Sequence, residues 1–210
     1  MSDFKPWTKY PSVTQERLAA IANIIRRVRS ETVVLHDPEH GDNEWSLGCR
    51  VYSRTCFAIR AAAKEFPWLT ILHETEDLRF SFALGEIPFR FYTGDADDPP
   101  SRYLHATFGE LQHLQAVLPI EGIRSLDRIL RLAVETDNHR EVLTVTLVEM
   151  DQSGQPTEKY TIPFDLLHTN ISPLQVQPID LPPPAVEPIK REEKQDQRRG
   201  KKVNERKLGS

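Results

Sequence analysis

Long apolar runs are missing from this chain of 210 residues. No stretch approaches the roughly 20 apolar residues that a membrane-spanning helix needs. The opening, MSDFKPWTKYP, lacks the basic-then-apolar order of a secretory signal, so the expected location is the cytosol. Glycine is scarce, with nine residues, which leaves little material for a phosphate-cradling loop. No P-loop, G-x-G-x-x-G, G-x-S-x-G, C-x-x-C or kinase signature occurs. Cysteine is scarcer still, with only Cys49 and Cys56. They fall on a predicted helix, about 10 Å apart along its axis. A disulfide needs Cα atoms within roughly 7 Å, so two free thiols are expected, as in a reducing compartment.

Charge is plentiful, and its distribution is uneven. The net charge of −4 conceals a basic segment, 190–207, with nine Lys/Arg against four Asp/Glu. The rest of the chain holds 18 Lys/Arg against 27 Asp/Glu. An acidic body thus carries a basic tail.

Ser12-Val-Thr-Gln15 has the form of a capping box, and Leu18, Ile21, Ile25 and Val28 follow at helical spacing, predicting a helix over 13–29. Thr32–Leu35 suits a short strand. HDPEHGDNE, 36–44, reads as a polar loop. Tyr52, Cys56, Ile59, Ala63 and Phe66 form the stripe of a helix over 50–66, stopped by Pro67. Leu69–Leu72 suits a strand. Residues 78–93, LRFSFALGEIPFRFYT, read as a hairpin turning at Gly85-Glu86, with glycine supplying the positive φ that a type II′ turn takes first. Phe80 then faces Phe91, Phe82 faces Phe89 and Leu84 faces Ile87, all on one face, with Ser81 and Arg90 on the other. Thr107-Phe-Gly-Glu110 is a second capping box and opens a helix over 108–118.

Residues 128–164 read as a three-stranded meander. A four-residue loop at 137–140 would pair Val134 with Leu143, Leu132 with Val145 and Leu130 with Leu147. A second loop at 152–155 would pair Leu147 with Tyr160, Val145 with Ile162 and Leu143 with Phe164. Pro163 lacks an amide, which marks the last strand as an edge. Six prolines between 173 and 188 predict an extended linker, and the nearly apolar-free tail beyond it is expected to be disordered. The expected fold is α+β: an antiparallel hairpin and a three-stranded meander packed with about three helices. The expected organisation is an N-terminal arm at 1–11, one domain at 12–172, a linker at 173–189 and a tail at 190–210.

GDADDPP, 94–100, is the sharpest chemical feature on the chain. Extending the hairpin register sets Glu76 opposite Asp95 and Glu74 opposite Asp97. HETED and GDADD then converge, joining Glu74, Glu76, Asp77, Asp95, Asp97 and Asp98. Like charges across a ladder are unfavourable by about 0.2–1 kcal/mol per pair. Such a cluster is a solvated sheet end, a landing site for a basic partner or for the chain's own tail, or a site for Mg²⁺ or Mn²⁺. An EF-hand is excluded, because Pro100 and Ala106 stand where its glycine and its glutamate belong. A Glu-x-Lys nuclease pair is missing too, since Glu86 precedes Ile87 and Pro88. His36 and His40 have zinc-helix spacing, but Pro38 between them disfavours a helix. His105 and His113 straddle a helix start.

The expected function is a non-enzymatic, cytosolic interaction or regulatory module with a protein partner and no cofactor. One alternative is a nucleic-acid-associated protein anchored by its tail through Lys190, Arg191, Lys194, Arg198, Arg199, Lys201, Lys202, Arg206 and Lys207, in a salt-sensitive, backbone-directed mode. Another is a divalent-metal enzyme built on Glu74, Glu76, Asp95 and Asp97.

Overall fold

The computed structural model describes residues 4–73, 79–117, 128–151 and 153–164. They lie within one compact unit, Met1–Asn170. The linker and tail expected over 173–210 fall outside the described residues. The fold class is α+β, with four α-helices and one six-stranded mixed sheet among the described residues. No described helix is long and apolar enough to cross a membrane.

Helix α1 (Pro6–Lys9) is short. Residues 4–11, read from the sequence as an arm, are held to the domain at several points. Trp7 packs edge-on against Tyr160 with ring centroids 5.4 Å apart. Lys9 and Tyr10 both donate to the buried Glu149 carboxylate, at 2.6 and 2.9 Å.

Helix α2 (Gln15–Val33) starts later than its capping signature suggests. Its cap is Thr14, whose hydroxyl accepts from the Arg17 amide, and not Ser12. The reason is burial: Val13 sits in the core and fixes the chain before the first turn. The helix also takes in Thr32 and Val33 of the strand expected at 32–35, and Val34 and Leu35 form a turn after it. The Thr32 hydroxyl donates to the Val28 carbonyl one turn back, which keeps this β-branched residue helical. Helix α3 (Glu44–Ala62) begins six residues before the expected start. Asn43 and Ser46 form a reciprocal capping box that the loop reading of 36–44 overlooks.

The sheet runs β1 (Leu69–His73), β2 (Ser81–Leu84), β3 (Ile87–Thr93), β4 (Arg128–Thr136), β5 (Val142–Asp151) and β6 (Pro156–Thr161), in that spatial order. Hairpin and meander are therefore not separate units. They join through a parallel β3–β4 pair, in which Phe89, Arg90 and Phe91 align with Leu130, Arg131 and Leu132. Parallel neighbours require a crossover, and this one carries helix α4 (Phe108–Val117).

The β2–β3 register is the expected one, with Phe82 opposite Phe89 and Leu84 opposite Ile87. The β5–β6 register also agrees at Leu147–Tyr160, and β6 is an edge strand. The β4–β5 register does not. Val134 faces Val145, Leu132 faces Leu147 and Leu130 faces Glu149, a slip of two residues. A longer loop closed by Asp137 and Glu141, with Arg140 at φ 68°, and a bulge after Glu135 take up the difference. A two-residue slip preserves the face, so the apolar side still points inward.

That side packs under α2 and α3, where Phe82, Phe89, Leu132, Val145 and Leu147 meet Leu18, Ile21, Ile25 and Ile59. The alternate residues Tyr92, Ile129, Ala133, Val148 and Met150 form a second, smaller core with Tyr103 and Ala96 from the crossover. The sheet thus carries buried apolar residues on both faces.

Candidate functional site

The second face of the sheet carries two arginines side by side, Arg90 on β3 and Arg131 on β4. Both are buried. A guanidinium is costly to bury unless its donors are matched. Arg131, 0 % exposed, is fully engaged. Its Nη1 donates to Glu110 Oε1 at 2.6 Å and to the Leu130 carbonyl at 2.9 Å. Its Nε donates to the Tyr103 carbonyl at 3.0 Å, and its Nη2 to the His105 carbonyl at 3.1 Å. Burial pushes the Arg131 pKa down, and the Glu110 carboxylate pulls it back up. Glu110 serves twice, because it also accepts the Thr107 amide at 2.7 Å and so completes the expected capping box. This buried pair clamps the crossover and the start of α4 onto the sheet.

Arg90 faces a different environment. It donates to the Arg102 carbonyl at 3.0 Å and lies 4.4 Å from the Tyr103 ring centre. The Arg102 guanidinium lies over the same ring at 5.2 Å. Beside them opens a cleft of about 640 Å³, lined by His73, Arg79, Arg90, Arg102, His105, Ala106, Thr107, Phe108 and Gly109. They come from five places in the fold. His73 ends β1, Arg79 precedes β2 and Arg90 lies on β3. Arg102 belongs to a 3₁₀ turn, Ser101–Tyr103, and the rest lead into the first turn of α4. Gly109 permits the close approach of α4 to β1, since a Cβ there would sit 3.3 Å from the Leu72 carbonyl oxygen. Three guanidinium groups and two imidazoles thus line one concave surface.

Among the described residues, the aspartates singled out from the sequence lie outside this lining, whereas His105 belongs to it. Glu74, Glu76 and Asp77 fall outside the described residues, as do the nine tail cations. Asp95, Asp97 and Asp98 are exposed. GDADD is a pinned turn: Asp95 accepts the Asp97 amide at 2.8 Å, the Ala96 amide donates to Glu135, and Asp97 forms an ion pair with Lys159 on β6. No group of three His, Cys, Asp or Glu side chains able to hold a metal occurs among the described residues. His40 pairs with Asp37 at 2.7 Å, while His36 lies 3.8 Å from Asp42. Cys49 is exposed and Cys56 buried, and both are free thiols.

The sequence reading missed the cleft. Its signal is an arginine in the middle of an otherwise apolar strand, in PFRFY and in LRLAV. A charge at such a position must find a partner or serve a ligand. No family model matches the chain, and neither the curated proteins nor the solved structures provide a significant match to it.

Proposed function

We propose that this protein is a non-enzymatic binding module for an anionic partner, and that the cleft between β1, β3 and the start of α4 is its recognition site. The observation that carries this reading is the convergence of Arg79, Arg90, Arg102, His73 and His105 on one surface. Arginine matches oxyanions with planar, paired donors, and a cleft between low-dielectric walls concentrates the field of its charges. The site stands on strands and a capped helix, so little ordering is needed on binding. The Lys190–Lys207 segment carries charge of the same sign and would add salt-sensitive affinity without selectivity.

The test uses heparin as a sequence-blind polyanion and the full chain. The double variant Arg102→Glu with His105→Glu places negative charge at two exposed cleft positions. Its affinity is expected to fall at least tenfold, with a shallower dependence on salt. Unchanged affinity would remove the cleft as the site.

A further inference from the structure

Phe108 is 76 % exposed, while Phe80, Phe82, Phe89 and Phe91 are all buried. A lone exposed aromatic needs no explanation. This one lines the cationic cleft. It is also the first residue of α4, directly after the Thr107 cap and two residues before the Glu110–Arg131 clamp. Its backbone is therefore held at the site, and the ring is presented beside Arg79, Arg90 and Arg102.

An aromatic ring beside a row of cations suits single-stranded nucleic acid. The cations track the phosphates, and an unpaired base stacks on the ring. We propose that the cleft binds single-stranded nucleic acid, with a phosphate on the exposed Arg102 and a base stacked on Phe108. This rests on the cleft being the recognition site. A duplex fits less well, because it offers only base edges in its grooves and keeps the base faces covered. An acidic peptide would match the charge and leave the ring without a planar partner. The volume, about 640 Å³, lies in the range of pockets that enclose one small ligand. One nucleotide unit thus occupies the cleft while its neighbours run past it.

The test is fluorescence anisotropy with the full chain at moderate salt, where the contribution of Lys190–Lys207 is reduced. The probes are labelled single-stranded DNA, single-stranded RNA of the same sequence, the matching DNA duplex and a polyglutamate peptide. Phe108→Ala should weaken single-strand binding roughly tenfold or more, and Phe108→Trp should retain it. Since the ring is exposed, thermal unfolding of both variants should match the parent. A 2-aminopurine placed in the strand should be quenched by the parent and not by Phe108→Ala. Tighter binding of RNA than of DNA would assign a contact to the 2′-hydroxyl within the same proposal. Equal single-strand binding by Phe108→Ala and the parent would overturn the stacking site, as would preference for the duplex. Binding of polyglutamate alone would overturn the nucleic-acid inference and leave the anion-binding reading intact. No binding of any probe would remove both.

Discussion

Cys49 and Cys56 stand on the same helix in opposite environments. Burial pushes the Cys56 thiol up to about 12, while Cys49 is exposed. The thiolate is the reactive form, so a thiol reagent at mildly alkaline pH should modify Cys49 and spare Cys56 in the native protein. Mass spectrometry of the labelled chain checks this. The same shift has a consequence for stability. The fold keeps Cys56 protonated where the unfolded chain, with a thiol near pH 9, has released its proton. Its contribution is present below pH 9 and is lost as the pH rises toward 12. Urea midpoints that rise across that window would contradict this sign. Glu110 is the other residue whose setting decides its weight. At 1 % exposure it balances a guanidinium that is 0 % exposed. Glu110→Gln keeps the shape and removes the charge, and should cost about 3–5 kcal/mol, read as a lower urea midpoint with unchanged slope.

Among the elements, the hairpin β2–β3 was the most legible, and the β4–β5 pair was read with its register displaced. Gly85 alone takes a positive φ, 63°, in the Gly85-Glu86 turn, as the sequence predicts. A Cβ there would also lie 2.7 Å from the Ser12 Cβ. Gly85→Ala therefore meets both strain and overlap, and should destabilise by more than about 1 kcal/mol in chemical denaturation. In β4–β5, two loop lengths satisfy the same alternation of apolar and polar residues, so the pattern cannot choose between them. The observed register leaves Leu143 at 59 % exposure, whereas the sequence reading set it inward against Val134. Leu143→Thr is accordingly expected to lie within about 0.5 kcal/mol of the parent. Leu147→Ala, in the core, should cost about 2–5 kcal/mol. A large loss at Leu143 would support the shorter loop instead. The opening of α3 was missed for a related reason. Asn43 and Ser46 cap a helix whose first turn carries the exposed Trp45 and no apolar stripe, so the core-facing periodicity starts only at Leu47.

At the scale of the whole molecule, the charge separation along the sequence and the cleft in the fold point to two contributions to binding. A chain ending at residue 172 lacks the nine cations of Lys190–Lys207. Its affinity for single-stranded nucleic acid should fall, and its salt dependence should become shallower, while the effect of Phe108→Ala persists. Anisotropy across a salt series separates the two: loss of the Phe108 effect on truncation would place recognition in the tail. The acidic turn at Asp95–Asp98 is given a structural part by its ion pair with Lys159 and its contact with Glu135, which tie the start of the crossover to the sheet.

Alternation, helical spacing and turn residues are local properties. They determined the α+β class, three of the strand pairings in outline, the helix after Thr107 and the free thiols, because each depends on neighbours within a few residues. The parallel union of β3 with β4 depends on residues about 40 apart in sequence, and no local pattern encodes it. That union sets Arg90 beside Arg131, and the crossover it requires carries Arg102, His105 and Phe108 over them. The acidic stretches were conspicuous because their charges are contiguous in the chain. The arginines and histidines of the cleft are spread from residue 73 to residue 105 and become a site only when the sheet brings them together.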